Sequence, residues 1–133
     1  MGQSQLLLIV LGVIVVGAAV IVGMNLFHAN AVEANRNALD SDLLSIATMS
    51  QTYYKKTSVQ GGGNKNFSGF VIPNQMEANE NGEYSIVYLR SNQAMFQGVG
   101  KETAEIGAGC EAGQYVTHRI LVFTDSVQIQ RVY

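Results

Sequence analysis

From Leu6 to Met24 the chain carries no charged and no polar side chain, only Leu, Ile, Val, Ala, Gly and Met. Nineteen such residues make a helix of about 28 Å at roughly 1.5 Å per residue, close to a hydrocarbon core of about 30 Å. A helix apolar on every side is not the surface helix of a small soluble domain. It sits in lipid or is buried by other chains. The helical pattern continues past this run. No Pro or Gly occurs from Ala29 to Lys56, and Val32, Leu39, Leu43, Ile46, Ser50 and Tyr53 recur at spacings of seven, four, three, four and three. That stripe predicts an amphipathic helix packed against something. Asn30, Glu33, Asn35, Arg36, Asn37 and Asp40 lie mainly off it. Gly61-Gly62-Gly63 then supplies a stop. The result is one helix of about 50 residues, on the order of 75 to 80 Å long.

After the glycines the period changes. Tyr84 to Arg90 alternates, with Tyr84, Ile86 and Tyr88 on one face, and Ala94 to Val99 follows a polar turn at Ser91-Asn92-Gln93. Tyr115 to Phe123 and Ser126 to Tyr133 are rich in Val, Ile, Tyr and Phe, the residues that favour strands. Only Thr124-Asp125 separates them, which predicts a tight antiparallel hairpin. The spacing suggests a meander of about four strands, one face of which the amphipathic half of the helix covers, as a sheet this small requires. Gly61 to Glu83, with the only proline, Pro73, is expected to be a connecting loop pinned by Phe67, Phe70 and Ile72. Lys101 to Gln114, with Cys110, is expected to be a second loop. The fold class is therefore α+β, a long N-terminal helix on a small antiparallel sheet. It comprises an apolar helix half (1–28), an amphipathic half (29–60) and a C-terminal β domain (61–133).

Composition narrows the functions. A length of 133 residues suits one domain. The net charge of -2 and the 8 scattered basic residues supply no polyanion-binding surface, so nucleic acid is unsupported as a partner. The lone Cys110 excludes an intramolecular disulfide; it either pairs between chains or, the simpler reading, sits as a small buried residue. Ala29-Asn30-Ala31 has the form of a signal-peptide cleavage site, but no Lys or Arg precedes Arg36 and the apolar run exceeds the usual length of roughly 7 to 15 residues.

No catalytic constellation emerges. His28 and His118 lie in different elements. Cys110 with His118 offers a nucleophile and a base, but lacks a third orienting group, and His118 is expected to be a partly exposed sheet residue. Glu77, Glu80 and Glu83, with Asn79 and Asn81, do not match calcium-loop spacing and read as an acidic surface turn. Gly61-Gly62-Gly63 lacks the Lys and Ser/Thr of a phosphate loop. Asn66-Phe67-Ser68 has the form of a glycosylation acceptor, a short pattern that arises readily by chance in an Asn-rich chain. Phe27, Tyr53 and Tyr54 are expected to pack helix against neighbour. Neither a cofactor, a metal nor an enzymatic activity is expected.

The layout resembles the type IV pilins. In that family a small or apolar first residue and a polar fifth position lead into about twenty apolar residues, an amphipathic helical half and a C-terminal sheet. Here Met1-Gly2-Gln3-Ser4-Gln5 precedes Leu6-Leu7-Leu8-Ile9-Val10-Leu11-Gly12. The sequence-specific part of the resemblance is confined to about the first 30 residues. It implies a subunit held in the membrane before assembly, then polymerised with copies of itself into a cell-surface filament for adhesion or motility. Inner-membrane assembly machinery and a prepilin peptidase are the other implied partners, and an N-terminal methyl group the implied modification. The implied assembly residues are Met1, Gln5, Leu6, Leu7, Leu8, Gly12, Gly17, Gly23 and Phe27. Independently, an apolar helix that leaves the bilayer must be buried by equivalent helices, and a head-to-tail contact that does not close generates a filament. There are departures from the family pattern. Gln5 replaces the usual Glu, Val22 replaces a common proline, and no C-terminal disulfide loop is possible. Gly12, Gly17 and Gly23 let the helix loosen instead. A basic leader ending in Gly is not visible, so Met1 is either the processed first residue or the initiator. The alternatives are a secretion-system pseudopilin and a single-pass membrane protein displaying a small binding domain.

Overall fold

The computed structural model describes residues 2–104 and 113–132; Met1, residues 105–112 with Cys110, and Tyr133 lie outside the described residues. The chain is α+β. It has α1 (Gly2–Lys55), a single 3-10 turn (Ser58–Gln60), a short α2 (Asn74–Glu77), and strands β1 (Gly82–Leu89), β2 (Gln93–Thr103), β3 (Tyr115–Phe123) and β4 (Val127–Arg131). The strands form one antiparallel sheet in the order β1-β2-β3-β4. Two compact units are distinguished, Met1–Ala31 and Val32–Tyr133.

Within the first unit the helix is uninterrupted, and its large apolar side chains from Leu6 to Phe27 are between 54% and 77% exposed. Within the second, α1 buries Val32, Leu39, Leu43, Ile46, Ala47 and Ser50. This is the stripe read from the sequence, with Ala47 added and Tyr53 packed at its margin. Ser50 is tolerated in the core because its hydroxyl donates to the Ala47 carbonyl at 2.7 Å, leaving no unpaired polar group.

The helix ends at Lys55, before the glycines. The chain then folds back so that backbone N–H groups of Gly63, Asn64 and Lys65 donate to the carbonyls of Tyr53, Lys56 and Tyr54. These carbonyls have no partner further along the helix. Asn64 and Lys65 take positive φ to achieve this, and a side chain on Gly63 would collide with the Asn66 carbonyl. The glycines therefore shape the cap and are not the stop itself. Beyond the cap, Phe67, Phe70 and Ile72 enter the core. Phe67 stacks on Tyr54 with ring centroids 4.6 Å apart, and Phe70 sits edge-on between Tyr53 and Phe96.

Burial alternates along β2 from Gln93 to Gly100, where Ala94, Phe96, Gly98 and Gly100 face inward, as the two-residue strand period dictates. Val116, His118, Ile120 and Val122 face inward on β3. Two expectations are corrected here. β2 continues to Thr103, so Lys101, Glu102 and Thr103 are strand and not loop. On β1 a register shift between Ile86 and Tyr88 resets the alternation, because one extra residue turns every later side chain to the other face. Tyr88 therefore pairs with the outward Met95, while Leu89 pairs with the inward Ala94. Tyr84, Ile86 and Tyr88 do not share a face. The hairpin at Thr124-Asp125 forms as expected, closed by the Phe123 N–H donating to the Ser126 carbonyl at 2.8 Å.

Candidate functional site

Two features stand out, one in each unit. The first is the apolar segment. Among the described residues, α1 alone is long and apolar enough to cross a membrane, and its most apolar window is 0% buried within the chain. Leu6, Leu7 and Leu8 are 65%, 71% and 69% exposed, and Phe27 is 77% exposed. Gln5 is exposed as well. A side chain at Gly12, Gly17 or Gly23 would meet no neighbouring atom, so no contact among the described residues requires these glycines. At about 100° per residue, Gly12 and Gly23 fall on the same side of the helix, and Gly17 about 140° away. Met1 lies outside the described residues.

The second feature joins α1 to the sheet inside the second unit. Leu39 is fully buried, and it occupies a notch whose floor has no side chains. Its methyl carbons lie 3.0, 3.4 and 3.1 Å from where a Cβ would stand on Gly82, Gly98 and Gly100. Glycine at these positions lets the helix approach the sheet closely. Asp40 and Asp42 flank Leu39. Successive helix residues are about 100° apart, so the two carboxylates leave the helix on opposite sides of the notch.

Each carboxylate meets one end of a cross-strand row, Tyr84–Gly98–His118–Arg131. Asp42 Oδ2 accepts hydrogen bonds from the Tyr84 hydroxyl at 2.6 Å, Asn79 Nδ2 at 2.8 Å and Asn81 Nδ2 at 2.9 Å. Burial works against its charge, but the bonds from Asn81, Tyr84 and Asn79 outweigh burial and hold the carboxyl below its ordinary range. Burial, together with the Asp42 carboxylate, pushes the Tyr84 phenol well above its usual value. On the other side, Asp40 Oδ1 lies 2.5 Å from His118 Nδ1, and Asp40 Oδ2 lies 3.6 Å from Arg131.

His118 is thus fully buried, which corrects the expectation of a partly exposed residue. It lies in the inward phase of β3 between Val116 and Ile120, and α1 brings Asp40 to it. Cys110, the nucleophile candidate, lies outside the described residues. Asn79 and Asn81 turn their amides to Asp42 instead of outward beside Glu77, Glu80 and Glu83. Asn66 is exposed, and its Oδ1 accepts the Ser68 backbone N–H at 2.8 Å. The Asp40, Asp42, Tyr84 and Arg131 contacts were not anticipated from the sequence. The only signal was a pair of aspartates, Asp40 and Asp42, lying between the stripe leucines Leu39 and Leu43.

No protein-family model, curated protein or solved structure matches this chain.

Proposed function

We propose that the chain is the structural subunit of an extracellular filament of the type IV pilin kind, polymerising through the apolar N-terminal half of α1 and held in a membrane before assembly. One observation carries this reading: the large apolar side chains from Leu6 to Phe27 are all more than half exposed on a helix whose later residues build a well-packed core. Burying one such side chain contributes about 1.5 to 3 kcal/mol, so a run of this length is not stable in water. Neighbouring copies supply the same apolar surface, and small residues at Gly12, Gly17 and Gly23 favour close helix approach. Gln5 makes a neutral contact where the family uses a charged one. Inner-membrane assembly machinery and a prepilin peptidase are the partners this role requires. The role needs no catalysis and no cofactor.

A second reading rests on the same exposed segment: a single-pass membrane protein that displays the Val32–Tyr133 unit. The two readings are separated by shearing cells, pelleting the released material and imaging it by electron microscopy, with mass spectrometry of the N-terminal peptide. Filaments built from this chain support the pilin reading. A chain that stays in the membrane fraction as a monomer overturns it in favour of the display protein.

A further inference from the structure

Within the Val32–Tyr133 unit the exposed charges are sorted by sign to opposite ends, and the contacts of α1 with the sheet fix which charges share an end. Gln51 Nε2 donates to the Phe123 carbonyl, and Phe123 pairs with Gln93 on β2, so the tips of both hairpins stand at the C-terminal end of α1. The capping loop joins them there, since the Lys65 N–H donates to the Tyr54 carbonyl. This end carries Lys55, Lys56, Lys65 and Arg90, all exposed, against one exposed acid among the described residues, Asp125. Toward the other end, Asn35 donates to the Asn81 carbonyl and lies against Gly100, which pairs with Gly82. Glu77, at the end of α2, Glu80, and Glu83, which closes the turn with Ala78, are exposed here. Glu102 lies on this side too, and Lys101 is the cation among them. Glu33 and Asp40 are met by Arg36 and Arg131 and leave the balance unchanged. Neither the three lysines nor Glu77, Glu80 and Glu83 join an ion pair among the described residues.

From Asn35 to Lys55 the helix rises about 30 Å, well beyond a Debye length of about 8 Å at physiological salt. The two ends of one chain therefore do not neutralise each other. A second copy placed end to end brings them together. The apolar segment supplies a driving force for association, but burial of apolar surface is non-directional and leaves the direction and register of stacking unspecified. Opposed charges supply both, because they attract in the right arrangement and repel in the wrong one. We infer that the basic end of one copy, with Lys55, Lys56 and Lys65, meets the acidic end of the next, with Glu77 and Glu80, and that this contact sets the direction and register of the filament. A contact between unlike surfaces that does not close on itself repeats along a filament, and two like ends repel. Single exposed ion pairs contribute little, so the effect comes from several acting together. The inference rests on the filament reading above and names a second surface through which copies meet.

The test uses the full chain in the cells that produce it, with filaments sheared, pelleted and counted by electron microscopy. One variant carries Lys55→Glu and Lys56→Glu, a second carries Glu77→Lys and Glu80→Lys, and a third carries all four. Each double variant is expected to lower the filament yield by about tenfold or more, while its amount in the membrane fraction and its unfolding midpoint in micelles stay close to the parent's. The fourfold variant again has ends of opposite sign, and its yield is expected to rise above that of either double variant. A double variant that assembles like the parent overturns the inference, as does a fourfold variant no better than the doubles. Should a double variant fail to fold, the matching glutamine pair takes its place, with a smaller loss expected and the parent's yield again overturning the inference. A parent chain that forms no filaments overturns the filament reading and this contact with it. Parent filaments with indifferent variants overturn the contact alone.

Discussion

The Tyr84 hydroxyl donates to Asp42 Oδ2 at 2.6 Å, joining β1 to α1 across 42 residues of sequence. The ring of Tyr84 lies over Gly98, whose missing side chain makes the space. Removing the hydroxyl keeps the ring and deletes one bond to a charged acceptor. Tyr84→Phe is therefore expected to cost about 1.5 to 3 kcal/mol, read as a lower denaturant midpoint for the full chain in micelles.

Acid should act on the same contact. The folded carboxyl of Asp42 titrates below the ordinary aspartate range, so its stabilisation is present above that range and is lost as pH falls through the lower folded value. Asp42→Asn should be less stable than the parent at pH 7 and show a flatter loss below about pH 4. Unfolding curves at stepped pH check this.

The notch around Leu39 is sensitive in both directions. Leu39→Ala leaves a cavity and is expected to cost about 2 to 5 kcal/mol. Gly98→Ala places a methyl 3.0 Å from the Tyr84 ring and should cost about 1 to 3 kcal/mol. Combined, the two need not add, because they share one contact surface. Thermal or chemical unfolding of the three variants measures this.

In the apolar segment a single charge should be decisive for assembly and nearly silent for the folded unit. Val13→Lys puts an ammonium mid-run, at a cost of about 2.5 to 3.5 kcal/mol on insertion scales. The expected outcome is loss of the chain from sheared filaments with the membrane fraction retained, since the remaining apolar side chains outweigh one ammonium. Val59→Lys, at a site 95% exposed, is the matched control and should leave both unchanged. Fractionation with immunodetection reads the difference.

Much of the architecture was legible because it rests on periodicity. A run with no polar side chain has one physical meaning wherever it occurs, and the stripe from Val32 to Ser50 became the buried face of α1. Strand β3 and the Thr124-Asp125 hairpin followed from β-rich runs broken by two residues. The bulge after Ile86 was not legible, since the residues on either side of it read as unbroken alternation. The helix end was misplaced because a glycine run marks a turn without telling which carbonyls it will cap.

What the sequence by itself determined, then, is which residues must leave water and at what period, since local chemistry sets both. Only the tertiary structure decided where the polar side chains meet. Asp40 reaches His118 and Asp42 reaches Tyr84 because three glycines on two strands admit Leu39 between them. That depth of approach is a property of the strand register and of the helix and sheet surfaces together. Residues separated by 78 and 42 positions carry no local sign of it.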